Sequence, residues 1–318
     1  MDMKLFLRRL AAFACFASIV YLLLLMIWGN IFGEWKLQNI LYRRAGHGHS
    51  FSRFREADTT KNVDLLFLGS SHAYRGFDTR IFDSAGYRSF NLGSSSQTPL
   101  QTRVLLHRYL NGLNPKLAIL EVYPKLFATD GVESALDVLA NDEEDHNSFR
   151  MVSKMHNPTV WNSWLYSSVR ERLGWERHTR EPANRRLDQY IRGGYVERDL
   201  EYFSHTRQQP QSWSIRADQE EAFNEVLSML RSRGIPYLLV FAPITDSIYY
   251  AHSRREDFDS IMASHGPYIN FNLVISMDDS LHFYDEHHLN QKGVERFNAA
   301  LLDTLRRLWP DGPDSRYP

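Results

Sequence analysis

Five short apolar runs constrain this chain more than any other feature: Val63–Leu68, Arg88–Leu92, Leu117–Val122, Tyr237–Ala242 and Ile269–Ile275. Most are unbroken rather than alternating, as expected for strands buried on both faces of a helix-covered parallel sheet. Amphipathic stretches separate several of them. Thr98 to Leu113 sets Leu100, Val104, Leu105 and Tyr109 on one face, and Ala217 to Arg233 does the same with Phe223, Val226, Leu227 and Leu230. Gly234-Ile235-Pro236 then stops the helix and starts a strand. Asn290 to Trp309 closes the chain with Val294, Phe297, Leu301, Leu305 and Leu308 at helical spacing. Strands alternating with helices predict an α/β fold: a three-layer α/β/α sandwich, flavodoxin-like, around a central, mostly parallel five-stranded sheet.

The N-terminus bears on location. After a short tail, residues 1–9, with Lys4, Arg8 and Arg9, the chain carries no charge from Leu10 to Gly33. About 20 apolar residues span a bilayer, so residues 10–33 read as a transmembrane anchor. Bulky Met26-Ile27-Trp28 offers no small-residue cleavage site, and Ala12-Phe13-Ala14-Cys15 precedes the apolar core, where a lipobox would not lie. Trp28 and Trp35 suit an interfacial belt. The three cations of the tail favour an inside N-terminus, although Lys36, Arg43 and Arg44 follow the span; the body is read as extracytoplasmic, periplasmic or extracellular, on a single-pass protein of the cytoplasmic membrane. Cys15 is the single cysteine, so the body has neither disulfide nor thiolate metal site.

Residues 34–61 read as a polar juxtamembrane linker, in which His47 and His49 lack a third metal ligand nearby. Residues 62–309 form the α/β domain, and 310–318 a flexible tail. An insertion over about 125–215 is too long for an ordinary crossover. It reads as mostly helical, with helices at Val160–Leu173 and near Arg185–Tyr190. Trp161, Trp164, Tyr166 and Trp175 there make either a small separate core or an aromatic wall of the site. With 37 basic and 38 acidic residues there is no nucleic-acid footprint. No glycine-rich phosphate loop and no paired metal-ligand set is present, so neither cofactor nor metal is expected.

The chemistry gathers at three places. Gly69-Ser70-Ser71-His72 follows the first apolar run, where open α/β sheets build sites at their carboxyl edge; the same residues also suit an ordinary turn. Asn91-Leu92-Gly93-Ser94 follows the second run, where a glycine lets backbone N–H groups approach a developing oxyanion. Asp285-Glu286-His287-His288-Leu289-Asn290 enters the last helix, and a carboxylate three residues before an imidazole can hold its Nδ1–H and leave Nε2 as a base. The plainer alternative is an acidic helix start.

Together, Gly69-Ser70-Ser71, Asn91-Leu92-Gly93 and Asp285-x-x-His288-Leu289-Asn290-x-x-Gly293 resemble the first, second and fifth blocks of the SGNH/GDSL hydrolases. The resemblance covers about residues 62–309 apart from the insertion. It is nearest to the membrane-anchored branch, the proteins of alginate O-acetylation and the DltD-type proteins of D-alanyl transfer; Glu121-Val122-Tyr123-Pro124 looks like a Trp-Glu-Ile-Pro segment of the former. It implies Ser71 as nucleophile, His288 as base and Asp285 as orienting carboxylate. It also implies the backbone N–H groups of Ser71 and Gly93 as oxyanion donors, with His72, Ser94 and Tyr123 lining the substrate site. The implied activity is serine O-acyl transfer or ester hydrolysis on a cell-envelope or exported polysaccharide. Its partners would be an acyl donor, a glycan or polymer acceptor, and a multi-spanning membrane O-acyltransferase. One departure stands out: the third-block Gly-x-Asn-Asp is absent, and with it the asparagine that would be a third oxyanion donor. A catalytically inert binding or scaffold component is the alternative reading.

Overall fold

The computed structural model describes residues 2–32, 39–46, 48–175, 178–204 and 209–310. Trp35, Lys36, His47 and the tail beyond Pro310 lie outside these residues. In chain order, α1 (Met3–Phe32) and α2 (Ser50–Thr59) precede the first strand, β1 (Leu65–Leu68). Then come α3 (Ser71–Gly76), α4 (Thr79–Ser84), β2 (Ser89–Asn91), α5 (Pro99–Leu113) and β3 (Leu117–Glu121). The inserted region holds α6 (Pro124–Ala128), α7 (Val132–Asn141), α8 (His146–Lys154), α9 (Pro158–Arg172), β4 (Asn184–Arg185), β5 (Asp188–Ile191) and β6 (Tyr195–Arg198). The fold resumes with α10 (Ala217–Ser232), β7 (Tyr237–Phe241), α11 (Asp246–Ala251), α12 (Arg255–His265) and β8 (Tyr268–Asn270). It ends with α13 (Phe271–Val274), α14 (Asp279–His282) and α15 (Gln291–Leu308).

The central sheet has the order β2-β1-β3-β7-β8, and every pair in it is parallel. Its central strands are buried throughout, which is why they read as unbroken apolar runs. Leu66, Leu68, Ala118, Leu120 and Leu239 face one helical layer, where α5 and α10 supply Val104, Leu105, Val226 and Leu227. Leu65, Phe67, Ile119, Leu238 and Val240 face the other, where α15 supplies Val294, Phe297 and Leu301. Three layers, helix on sheet on helix, are the result.

Four expectations are corrected. The fifth run forms a strand only at Tyr268–Asn270: the Asn270 side chain accepts from the Asn272 N–H and turns the chain into α13, burying Phe271 while Leu273 and Val274 stay exposed. The segment near Arg185–Tyr190 is not helical. It forms a small antiparallel sheet, β4-β5-β6, turned by Gly193 and Gly194 at φ 92° and 91° and held to the main sheet by Asn91 N–H donating to the Gly193 carbonyl at 2.7 Å. The stretch read as a linker contains α2, which puts Phe54 and Ala57 into the main core and buries Arg53; His49 is buried too, not solvated. The inserted helices have no separate core, since Leu139, Met151, Val152 and Val160 join the layer built on α5 and α10. Phe149, Trp161 and Trp164 pack edge-on or tilted against one another at the margin of that layer, and Tyr166 packs against Leu25 of α1.

Candidate active site

The site lies on the carboxyl edge of the sheet, where the chain leaves β1, β2 and β3. Gly69 takes φ 142°, and a side chain there would meet the Glu121 side chain, so only glycine lets β1 turn this tightly into α3. Ser70 caps α3: its Oγ accepts from the His72 N–H and donates to Glu121 Oε2 at 2.9 Å, and its own N–H donates to the same oxygen at 2.9 Å. Ser70 is thereby committed to structure. Ser71, the first residue of α3, has its Oγ 2.8 Å from His288 Nε2.

The loop before α15 brings His288 across. An Asn290 cap accepting from the Gly293 N–H starts that helix. The Asp285 carboxylate accepts from the backbone N–H groups of His287 and His288, both at 2.8 Å, and lies 2.9 Å and 3.0 Å from His288 Nδ1. Tyr284 stacks flat on the His288 ring, with centroids 5.5 Å apart and planes 6° apart. The guanidinium of Arg198 covers the Tyr284 ring at 4.7 Å. Asp188 of the small sheet holds both Arg198 and Arg75.

Burial alone would raise the Asp285 carboxyl. The hydrogen bond and charge of His288, with the two backbone N–H groups, outweigh it and hold the group well below the usual carboxylate range. Burial lowers His288, against the pull of Asp285 and with help from neighbouring His72 and Arg75, so its imidazole is neutral at pH 7. His287 is pushed down to about 3, first by burial and then by the adjacent histidines and Lys125. A neutral imidazole with Nδ1–H held by a carboxylate and Nε2 against a serine hydroxyl is able to accept that hydroxyl's proton.

Ser71 and His288 stand between two chambers. The larger, about 690 Å³, is lined by Tyr74, Arg75, Arg186, Asp188, Arg198 and Tyr284 among others. The smaller, about 390 Å³, is lined by His72, Tyr123, Lys125, Asp130 and His287. Ser71, Ser96, Glu133 and His288 border both. His72 and Tyr123 both line this smaller chamber, with the Tyr123 hydroxyl 3.4 Å from His287 Nδ1. Ser94 does not line either. It is fully buried, its Oγ donating to Gln97 Oε1 at 2.9 Å and its N–H to the Gly69 carbonyl, and Ser95 and Ser96 line the chambers instead. The Gly93 N–H also departs from expectation, since it donates to Asn91 Oδ1 at 3.1 Å. The Ser71 N–H makes no hydrogen bond among the described residues. None of Trp161, Trp164, Tyr166 and Trp175 borders either chamber. Arg198, Asp188 and Tyr284 were missed by sequence reasoning; the first two lie in a polar segment with no motif around it. Among the described residues no cluster fit to hold a metal is found.

No family model and no curated protein matches this chain. Among solved structures, it is similar to a candidate acylhydrolase from Bacteroides fragilis at 11% identity and TM-score 0.40, covering 80% of this chain and 94% of that one. It is also similar to a GDSL-like lipase from Bacteroides thetaiotaomicron at 12% identity and TM-score 0.40, covering 82% and 99%. At these values the likeness carries no argument about chemistry, which rests on the site's own geometry.

Proposed function

We propose that the chain is a membrane-anchored serine acyl-transfer enzyme of SGNH type. The observation that carries this reading is the unbroken series Asp285–His288–Ser71, with contacts of 2.9 Å and 2.8 Å. Ser71 Oγ attacks an ester carbonyl carbon while its proton passes to His288 Nε2, and the carbonyl electrons move onto oxygen. As the tetrahedral species collapses, the bond to the leaving alkoxide breaks and His288 returns the proton to it. An acceptor hydroxyl, or water, then repeats the sequence on the acyl-serine and frees Ser71. Asp285 holds the ring in the tautomer that leaves Nε2 unprotonated.

The anchor reading is supported by α1, whose apolar window has a mean hydropathy of 2.6 with 6% of it buried. Its docking on α9 supports the same reading: Tyr21 donates to Asn162 Oδ1 at 2.6 Å, and Tyr166 and Arg170 donate to Asn30 Oδ1. An extracytoplasmic domain acting on an envelope or exported polysaccharide, beside a multi-spanning O-acyltransferase, is the setting the motif resemblance favours. Two chambers meeting at Ser71 suit a donor and an acceptor at once.

The inert scaffold reading has its own observation, the engagement of the Gly93 N–H by Asn91. A fluorophosphonate probe separates the two. Stoichiometric labelling that Ser71→Ala abolishes is expected; an unlabelled wild-type chain sinks the enzyme.

A further inference from the structure

Ser71 and His288 come from opposite ends of the domain, and the small β4-β5-β6 sheet touches the supports of both. Ser71 and Arg75 stand one turn apart on α3 and share a face, and both border the larger chamber. Arg75 grips the Asp188 carboxylate at two points, 3.0 Å and 2.7 Å. Asp188 opens β5 and pairs in register with Arg198 at the end of β6, whose Nη1 donates to it at 3.2 Å. Glu201 accepts from Arg198 Nε at 2.9 Å and lies 2.8 Å from its Nη2. The guanidinium is thus fixed by two carboxylates, and its centre lies 4.7 Å from the centroid of the Tyr284 ring.

The loop of the base presents that ring by its own folding. Phe283 and Leu289, both buried, form an antiparallel bridge, and the Tyr284 N–H donates to the His288 carbonyl at 3.1 Å. Tyr284 and His288 therefore oppose each other across a hairpin with Asp285, Glu286 and His287 at its tip. Residues opposed in this way bring their side chains together, and here the rings lie 6° from parallel. In the free site His288 is held at both nitrogens, by Asp285 and by Ser71. Acylation takes the hydroxyl away from Nε2, and of those two contacts only the one at Nδ1 remains. The flat Tyr284 face is then what keeps the imidazole from turning about that contact.

We infer that Tyr284 and Arg198 are positioning residues of the base. Arg198 clamps Tyr284 onto His288, and Asp188 fastens the clamp to the nucleophile's helix through Arg75. The inference rests on Ser71 being the acylated nucleophile and His288 its base. Neither Tyr284 nor Arg198 moves a proton. Together they hold Nε2 in line while a hydroxyl or water attacks the acyl-serine, so the small sheet of the insertion serves as a brace between the two halves of the site.

The test is steady-state turnover of p-nitrophenyl acetate by the full chain in detergent, for wild type, Tyr284→Leu, Tyr284→Phe, Arg198→Gln and the double variant Tyr284→Leu with Arg198→Gln. Unfolding temperatures are measured beside the rates. A misplacement of about 1 Å costs about 10²-fold in rate, so Tyr284→Leu is expected to lose close to that in kcat with KM changed less than threefold. Tyr284→Phe keeps the stacked ring and should recover at least tenfold of the loss. Arg198→Gln keeps an N–H donor for the carboxylates but removes the cation from the ring. It should lose at least fivefold in kcat alone and less than twofold when residue 284 is already leucine, because a residue acting through Tyr284 has nothing left to act on. The same factor in both backgrounds overturns the clamp, and so does an effect confined to KM, which marks a substrate contact. Tyr284→Phe as slow as Tyr284→Leu at unchanged unfolding temperature overturns the stacking role. A wild-type chain with neither turnover nor fluorophosphonate labelling overturns the Ser71 reading itself, whereas an active wild type indifferent to positions 198 and 284 overturns the brace alone.

Discussion

Asp285→Asn is the sharpest perturbation of the proposed catalytic series, because the structure constrains how the new side chain must sit. Asp285 Oδ1 accepts from two backbone N–H groups, those of His287 and His288 at 2.8 Å. An amide nitrogen cannot accept, so asparagine has to keep its oxygen there and place its NH₂ where Oδ2 now lies 2.9 Å from His288 Nδ1. The retained oxygen also lies 3.0 Å from Nδ1 but already accepts two backbone N–H groups, so the NH₂ at the closer position competes with it and favours moving the ring proton from Nδ1 to Nε2, which lies 2.8 Å from Ser71 Oγ and then donates to the hydroxyl it should deprotonate. Fold and cavity are untouched, while the base is lost. Tautomer reversal of this kind costs about 10⁴ in kcat, or about 5.4 kcal/mol at 1.36 kcal/mol per tenfold. The assay is p-nitrophenyl acetate turnover with the circular dichroism spectrum and unfolding temperature as controls. A loss under tenfold with a native fold would refute the argument that Asp285 sets the tautomer.

Other outcomes are expected from the same structure. Because burial depresses His288, kcat/KM should stay flat through neutral pH and fall to half only below 6.5, the ordinary histidine value; a midpoint above that would contradict it. The same depression acts on stability: the unfolded chain takes up protons at 6.5 and the folded site resists, so stability from neutral His287 is present above 6.5 and lost as pH falls toward about 3. His287→Gln should flatten that slope in urea titrations, and an unchanged slope would show that another group is responsible. Phe67→Ala removes a β1 ring stacked on Phe77 at 4.7 Å and tilted against Phe82 at 4.8 Å, and should cost about 3–5 kcal/mol in chemical denaturation; under 1 kcal/mol would mean the layer refills. Gly86 and Gly194 share φ 91°, but a side chain at 86 meets nothing while one at 194 runs into the Asn91 carbonyl. Gly86→Ala should show only backbone strain, about 1 kcal/mol, whereas Gly194→Ala should detach the small sheet and speed tryptic cleavage at Arg185 and Arg192. Equal effects at both positions would refute the docking.

Much of this was legible because burial writes a strong signal. Strands covered on both faces exclude polar residues, so β1, β3 and β7 stand out as apolar runs, and Asp285 with His288 is a local contact that spacing alone can express. What stayed hidden has physical reasons. The apolar run after Ile269 continues through Phe271 because the core needs that ring, although Asn270 has already turned the backbone. The small sheet buries apolar residues only toward its Ile191, Tyr195 and Val196 end, so Arg185 to Tyr190 carries no period-2 apolar pattern. Helix α2 contributes only Phe54 and Ala57 to the core, diluted among serines and arginines. Ser94, Ser95 and Ser96 are chemically alike, and only the fold decides that the first turns inward. Glu121 reads as a lost asparagine until the Ser70 contacts show what it holds.

The lashing of α1 to α9 has a mechanical meaning. A catalytic domain on a slack leash explores a hemisphere, and its effective concentration toward anything on the membrane is diluted over that volume. Here the bonds from Tyr21 to Asn162 and from Asn30 to Tyr166 and Arg170 fasten the last turns of α1 to the body. With α1 in a bilayer, as proposed, the body does not swivel. The mouth between the two chambers then keeps one height and one heading, and on the proposed function a substrate presented at that level would meet Ser71 repeatedly while one passing above it would not.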